Sequence, residues 1–111
     1  MENEFVKVPG CKETEVKELY HDNQTQISVV QVARGGEIPM HCHDCAATMI
    51  ITKGSAKAIG KDYKIVKNGD IVVKKPKEAH GFTQIKEPFE FISVSEGNGI
   101  MHNGEFDIKY I

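Results

Sequence analysis

His41, His43 and His80 are the residues whose type and spacing best suit chemistry. His41 and His43 stand two apart, so on a strand they point to one face. Both rings can then reach a single ion while the backbone stays extended. His80 lies well beyond them, and a sheet folded back on itself can bring its strand beside the first pair. Three imidazole nitrogens suit Zn, Fe, Ni or Cu better than Ca or Mg. Ordinary surface histidines fit the same spacing, so the pattern alone does not decide between the two.

Other reactive side chains lie close by in the chain. Cys42 and Cys45 form a C-x-x-C inside the segment HCHDC. Such a pair can be a redox dithiol or half of a zinc site. A redox pair calls for a helix after its first cysteine, whereas MIIT is strand-like, and no second C-x-x-C completes a zinc ribbon. On a strand Cys42 faces away from the histidines. Cys45 can face them as an auxiliary ligand or reactive thiol, or be a small, partly buried residue. Cys11 stands alone. Glu78, two before His80, is a candidate general base or hydrogen-bond acceptor behind the ligands, or an exposed loop glutamate. Lys74, Lys75 and Lys77 either steer anions to a rim or keep a solvated edge from aggregating, and the second reading is preferred. Ala47, Met49 and Ile51 share a strand face. Ala47, Met49, Phe82 and Phe91 are candidate pocket-lining residues, with core packing preferred for the larger three. Met40 reads as packing, and His21 and His102 as surface residues in turns.

The elements that must position these groups are short strands. Gln26 to Ala33 (QISVVQVA) is β-branched and apolar and is expected to stop at Gly35-Gly36. Met49 to Lys53 ends at Gly54. Tyr63 to Lys67 and Asp70 to Lys74 flank Asn68-Gly69, a strong hairpin signal because both residue types tolerate positive φ. Phe89 to Ser95 alternates apolar and polar, and Phe106 to Ile111 (FDIKYI) does so too and can supply a closing strand. Glu13 to Tyr20 could form two helical turns or a strand paired with Gln26 to Ala33. The strand is preferred because it removes an exposed edge. Turn signals recur about every ten residues, the last at Asn98-Gly99 and Asn103-Gly104, which points to an antiparallel sandwich or barrel.

Composition sets the outer bounds. The chain has 111 residues, enough for one domain. Its net charge of −2 gives no footprint for nucleic acid. No apolar run reaches the ~18 residues that span a bilayer, so no membrane partner is expected. The N-terminal MENEFVKVPG lacks the apolar stretch of a signal peptide, which makes a cytoplasmic setting the default. An odd number of cysteines argues against a closed disulfide framework.

Two segments carry a family resemblance. Gly35 to Gly54 reads G-GEIPM-HCH-DCA-A-TMIITK-G and resembles the first motif of the cupin family: a glycine, five residues, H-x-H, then a glutamate and a second glycine. Gly69 to Gln84, GDIVVKKPKEAHGFTQ, is similar to the second motif, which ends on a histidine. The order and separation of the two motifs look like those of compact single-domain bacterial cupins, and the resemblance covers roughly residues 25 to 95. It implies an all-β, antiparallel β-barrel or jelly roll with little helix, spanning residues 1–111 as one domain. It also implies a metal inside one mouth held by His41, His43 and His80. There are departures. The family's glutamate ligand falls at Ala47, which cannot ligate, and the side chain of Thr48 points to the other face. Lys75 and Lys77 take the proline and glycine places of the second motif. Gln84, at its last polar place, suits a hydrogen bond to a metal ligand. Three-histidine sites occur in the superfamily among thiol dioxygenases and diketone-cleaving enzymes.

These readings converge on a small metal-binding cupin with one divalent ion (Fe, Zn, Ni or Mn). Neutral imidazoles leave the full +2 on the ion, so a small anionic molecule is the expected ligand. The reaction stays open between an Fe(II) dioxygenase, a metal-dependent isomerase or lyase acting on a small carboxylate, diketone or thiol, and a non-catalytic sensor. From the resemblance, a homodimer is expected, with FDIKYI pairing across a two-fold axis.

Overall fold

The computed structural model describes residues 4–102 and 105–111, and among them there is no helix. The turn signal at 103–104 lies outside the described residues. The strands are β1 (Val6–Lys7), β2 (Lys12–His21), β3 (Thr25–Cys42), β4 (Ala47–Lys53), β5 (Ser55–Gly60), β6 (Lys64–Lys67), β7 (Ile71–Lys74), β8 (His80–Thr83), β9 (Phe89–Glu96), β10 (Met101–His102), β11 (Glu105–Phe106) and β12 (Lys109–Tyr110). All pairings are antiparallel. The path β6-β5-β8-β3-β9-β4-β7 forms one curled sheet, with β2 and β12 also on β3.

β3 organises the fold. The strand expected to stop at Gly35-Gly36 instead runs through both glycines. Its first half pairs with β2 and β9, and its second half with β8 and β12. Gly35 has φ +81, and a Cβ at Gly36 would strike Val32 and the Lys12 carbonyl. The pair therefore makes a corner at which one strand passes between two walls, a bend open to glycine and closed to larger residues. The segment Glu13–Tyr20 lies within strand β2, with Thr14 opposite Val32 and Val16 opposite Val30.

Asn68-Gly69 does not close a hairpin. The Asp70 amide donates to the Lys67 carbonyl, so the turn is real. Only Gly69 of its two central residues has positive φ, the pattern of a type II turn, whereas tight hairpins use type I′ with both positive. The flanking strands diverge: β6 pairs with β5 and β7 with β4. The closing strand expected over 106–111 is shorter, with Lys109 and Tyr110 pairing with Cys42 and His41 of the same chain.

Alternation puts Gln26, Ser28, Val30 and Val32 of β3 inside, and Phe89, Phe91, Ser93 and Ser95 of β9 beside them. Phe82, Phe89 and Phe91 cluster with ring centroids 5.2 to 5.8 Å apart. Burying each such side chain contributes about 1.5–3 kcal/mol. The interior is thus apolar at one end and increasingly polar toward Gln26 and Ser95, at the end where β4 begins.

Candidate metal centre

The corner in β3 carries His41 to a position directly opposite His80 of β8, and His43 follows just past the end of β3. All three are buried. Their rings lie 4.3 Å (His41–His80), 4.7 Å (His41–His43) and 5.1 Å (His43–His80) apart, centroid to centroid. One nitrogen from each lies within 4.8 Å of the others.

Backbone carbonyls fix which nitrogens these are. His41 Nδ1 lies 2.7 Å from the Pro39 carbonyl, and His80 Nδ1 lies 2.9 Å from that of Glu78. His43 Nδ1 meets the Asp107 carbonyl. A carbonyl only accepts, so each Nδ1 carries the proton and each Nε2 keeps a bare lone pair. His41 Nε2 and His43 Nε2 then face each other at 3.2 Å with no proton between them. A cation shared by the rings satisfies both lone pairs, so the donor set fits a divalent ion of the kind that prefers imidazole.

Burial also keeps the rings neutral, as ligation requires. Desolvation, helped by His43, lowers the pKa of His41 to about 4. Desolvation, helped chiefly by His41, lowers that of His80 to about 3. His43 is lowered mainly by burial, against the pull of the Asp107 carbonyl and nearby carboxylates.

The histidines face a cavity of about 40 Å³ whose other walls include Ala47, Met49, Phe82, Phe91 and Ser93. Of these, Met49, Phe82 and Phe91 also belong to the hydrophobic core. Ala47 sits opposite Ser95 and Lys74 in the sheet and offers the cavity no ligand atom. Room for a few atoms is what remains where the family pattern has a carboxylate.

The remaining candidates fall elsewhere. Cys45 lines a separate cleft with Asp44, Glu96 and Asp107, and burial raises its thiol pKa. Gln84 is exposed, and the Nδ1 atoms it is expected to serve are taken by carbonyls. Glu78 acts twice, accepting from His80 through its carbonyl and holding Lys74 Nζ at 3.4 Å and the Lys75 amide at 3.0 Å through its carboxylate. The lysine run divides. Lys75 and Lys77 are exposed, whereas Lys74 points inward, 2% exposed, with Nζ 2.9 Å from Asp62.

Sequence reasoning passed over three contributors. Cys11 lines the cavity, with Sγ 3.3 Å from the Tyr110 hydroxyl, which itself donates to the Pro9 carbonyl. Gln26, fully buried, accepts from the amides of Ile100 and Met101, which seats Ile100 as part of the cavity wall. Asp107 serves through a backbone carbonyl, which leaves no mark in the sequence.

The fold is similar to those of several solved structures. A cupin-2 domain protein from Rhodospirillum rubrum is 18% identical with TM-score 0.79, the match covering 98% of this chain and 75% of that one. An uncharacterized conserved protein with a double-stranded β-helix domain from Klebsiella pneumoniae is 25% identical with TM-score 0.73, over 96% and 90% of the two chains. The polyketide cyclase RemF from Streptomyces resistomycificus is 23% identical with TM-score 0.74, over 86% and 72%. No family model and no curated protein matches the chain.

Proposed function

We propose that this chain, a small protein of the cupin fold, binds one divalent transition metal through the Nε2 atoms of His41, His43 and His80 and holds a small anionic molecule beside it. The observation that carries the reading is the set of three Nδ1–carbonyl hydrogen bonds, which leave three Nε2 lone pairs bare on rings that each bring one nitrogen within 4.8 Å of the others. When bound, a divalent ion supplies a +2 Lewis-acidic centre, and neutral imidazoles leave that charge uncompensated. The other walls of the cavity are mainly apolar, so an anion there meets little competing water. A volume of about 40 Å³ suits a ligand head of a few heavy atoms, such as a carboxylate or enolate.

Ligand holding is favoured over a named reaction because, among the described residues, no carboxylate or amine side chain lines the cavity to move a proton. The carboxylate of Glu78 is committed to Lys74 and the Lys75 amide. The test is elemental analysis of the purified protein, followed by calorimetric titration of the metal-loaded form with formate, acetate and their neutral amides. One metal per chain and tighter binding of the anions are expected. No retained metal, or amides binding as well as anions, overturns the reading.

A further inference from the structure

The inner face of β3 and β9 carries a group of hydroxyls beside the metal cavity. Ser28, Ser93 and Ser95 are all buried there. Ser28 lies directly opposite Ser93 across the β3–β9 ladder, and Ser95 is the next inward residue along β9. Ser93 lines the cavity that the three histidines face. On the other side of β9, β4 sets Met49 beside Ser93 and Ala47 beside Ser95. The hydroxyls therefore stand next to the position where the family pattern has its carboxylate.

These hydroxyls have more protons than partners. Each of the three serines brings one donor. One donor is used between Ser93 Oγ and Ser95 Oγ, 3.2 Å apart. Ser28 Oγ is buried with no hydrogen-bond partner among the described residues. Two donors thus remain inside the sheet, where an unpaired hydroxyl is destabilising. The neighbouring polar groups do not take them. Gln26 Oε1 already accepts from the Ile100 and Met101 amides, and its Nε2 donates to Glu18 and the Met101 carbonyl. Thr14, the other hydroxyl on the cavity wall, donates to the Lys12 carbonyl. Either serine of the Ser93–Ser95 pair can be the donor. When Ser95 donates, the Ser93 proton is free to point into the cavity.

A free donor on one wall and a divalent ion on the other ask for the same ligand. A carboxylate can set one oxygen on the ion and accept from Ser93 with the other. A hydrogen bond to an ionised oxygen is roughly twice as strong as one between neutral groups. A thiolate meets the ion through its single sulfur, which is a weak acceptor and leaves the hydroxyls unpaired.

We propose that Ser93, with Ser28 beside it, is the hydrogen-bond donor of the ligand site and favours anions that carry two oxygens, carboxylates above all, over thiolates. The inference rests on the metal-and-anion reading of the cavity and adds the residue that reads the second oxygen. Ser95 is a positioning residue that acts through Ser93.

Calorimetric titration of the zinc-loaded protein with acetate and with ethanethiol tests this. Circular dichroism reports that each variant is folded. Ser93→Ala is expected to lower the ratio of acetate to ethanethiol affinity by about tenfold or more. Ser28→Ala should lower it less, by several-fold. Because the Ser28 hydroxyl has no partner to lose, Ser28→Ala should leave the melting temperature of the metal-free protein unchanged or raised. An unchanged ratio in folded Ser93→Ala, or a wild type that takes ethanethiol but not acetate, overturns the donor role and leaves the metal site standing. A lowered melting temperature in Ser28→Ala shows that its hydroxyl is already paired and also overturns the proposal. A zinc-loaded wild type that binds neither probe overturns the metal-and-anion reading, and this inference with it.

Discussion

The two walls of the cavity are built on opposite principles. On one, His41, His43 and His80 are each held by a backbone carbonyl, so the direction of every donor atom is set by the main chain. On the other, Ala47, Met49, Phe91 and Ser93 present mostly hydrocarbon. A carboxylate on that wall would complete a coordination shell and cancel half the charge of the ion. Alanine can do neither, and under the proposed function both tasks fall to the bound anion. Under that proposed function, the first wall decides whether metal binds, and the second decides what joins it.

Removing a donor from the first wall is expected to have the largest effect. Substitutions behind metal ligands typically cost ~10–100-fold in affinity, so losing a ligand outright costs more. His80→Ala should weaken zinc binding by more than about 100-fold, while its circular dichroism spectrum stays that of the wild type. Zinc affinity within a few-fold of wild type would remove His80 from the centre.

Acid should act on the same wall. The ordinary histidine value is 6.5, against about 4 for His41 and about 3 for His80 in the fold. Between these limits the unfolded chain takes up protons that the folded chain does not. The metal-free protein therefore loses stability as pH falls below 6.5, and gains nothing from these groups above it. Melting temperature should be flat above that pH and decline below it, with a shallower decline in His80→Ala. Identical slopes in the two proteins would contradict the neutral, buried state assigned to the ring.

Filling the second wall should reverse its character. Ala47→Glu is expected to tighten zinc binding by about tenfold or more, from the added anionic ligand. It should also weaken acetate binding to the loaded protein, at about 1–3 kcal/mol in stability from crowding a small cavity. Unchanged metal and acetate affinities would mean that Ala47 does not face the ion.

The smallest effect lies behind the first wall. Lys74→Met frees Glu78 from its ion pair and should weaken zinc binding only several-fold, because the Glu78 carbonyl still holds His80. A loss as large as that of His80→Ala would show that Lys74, and not the backbone, orients the ring.

Much of this was legible in the residues, for identifiable reasons. H-x-H and His80 are side-chain signals in a recurring order, and alternation in Phe89 to Ser95 reports a half-buried strand directly. What escaped depends on the main chain or on distant packing. The Asn68-Gly69 pair announces a turn, but whether one or both residues take positive φ is settled by where β5 and β4 lie. Gly35-Gly36 marks a break in either a strand end or a corner, and only the second wall distinguishes them. The burial of Lys74 follows from the alternation Ile71–Lys74, yet its charge argues for solvent until Asp62 is placed beside it. The carbonyls of Pro39, Glu78 and Asp107 carry no residue-type signal at all.

X-ray absorption of the zinc-loaded protein examines the donor set itself. The account predicts three imidazole nitrogens at about 2.0–2.1 Å with the remaining scatter from oxygen. A sulfur shell at about 2.3 Å, bringing Cys11 or Cys45 into the site, or fewer than three imidazoles, would contradict it.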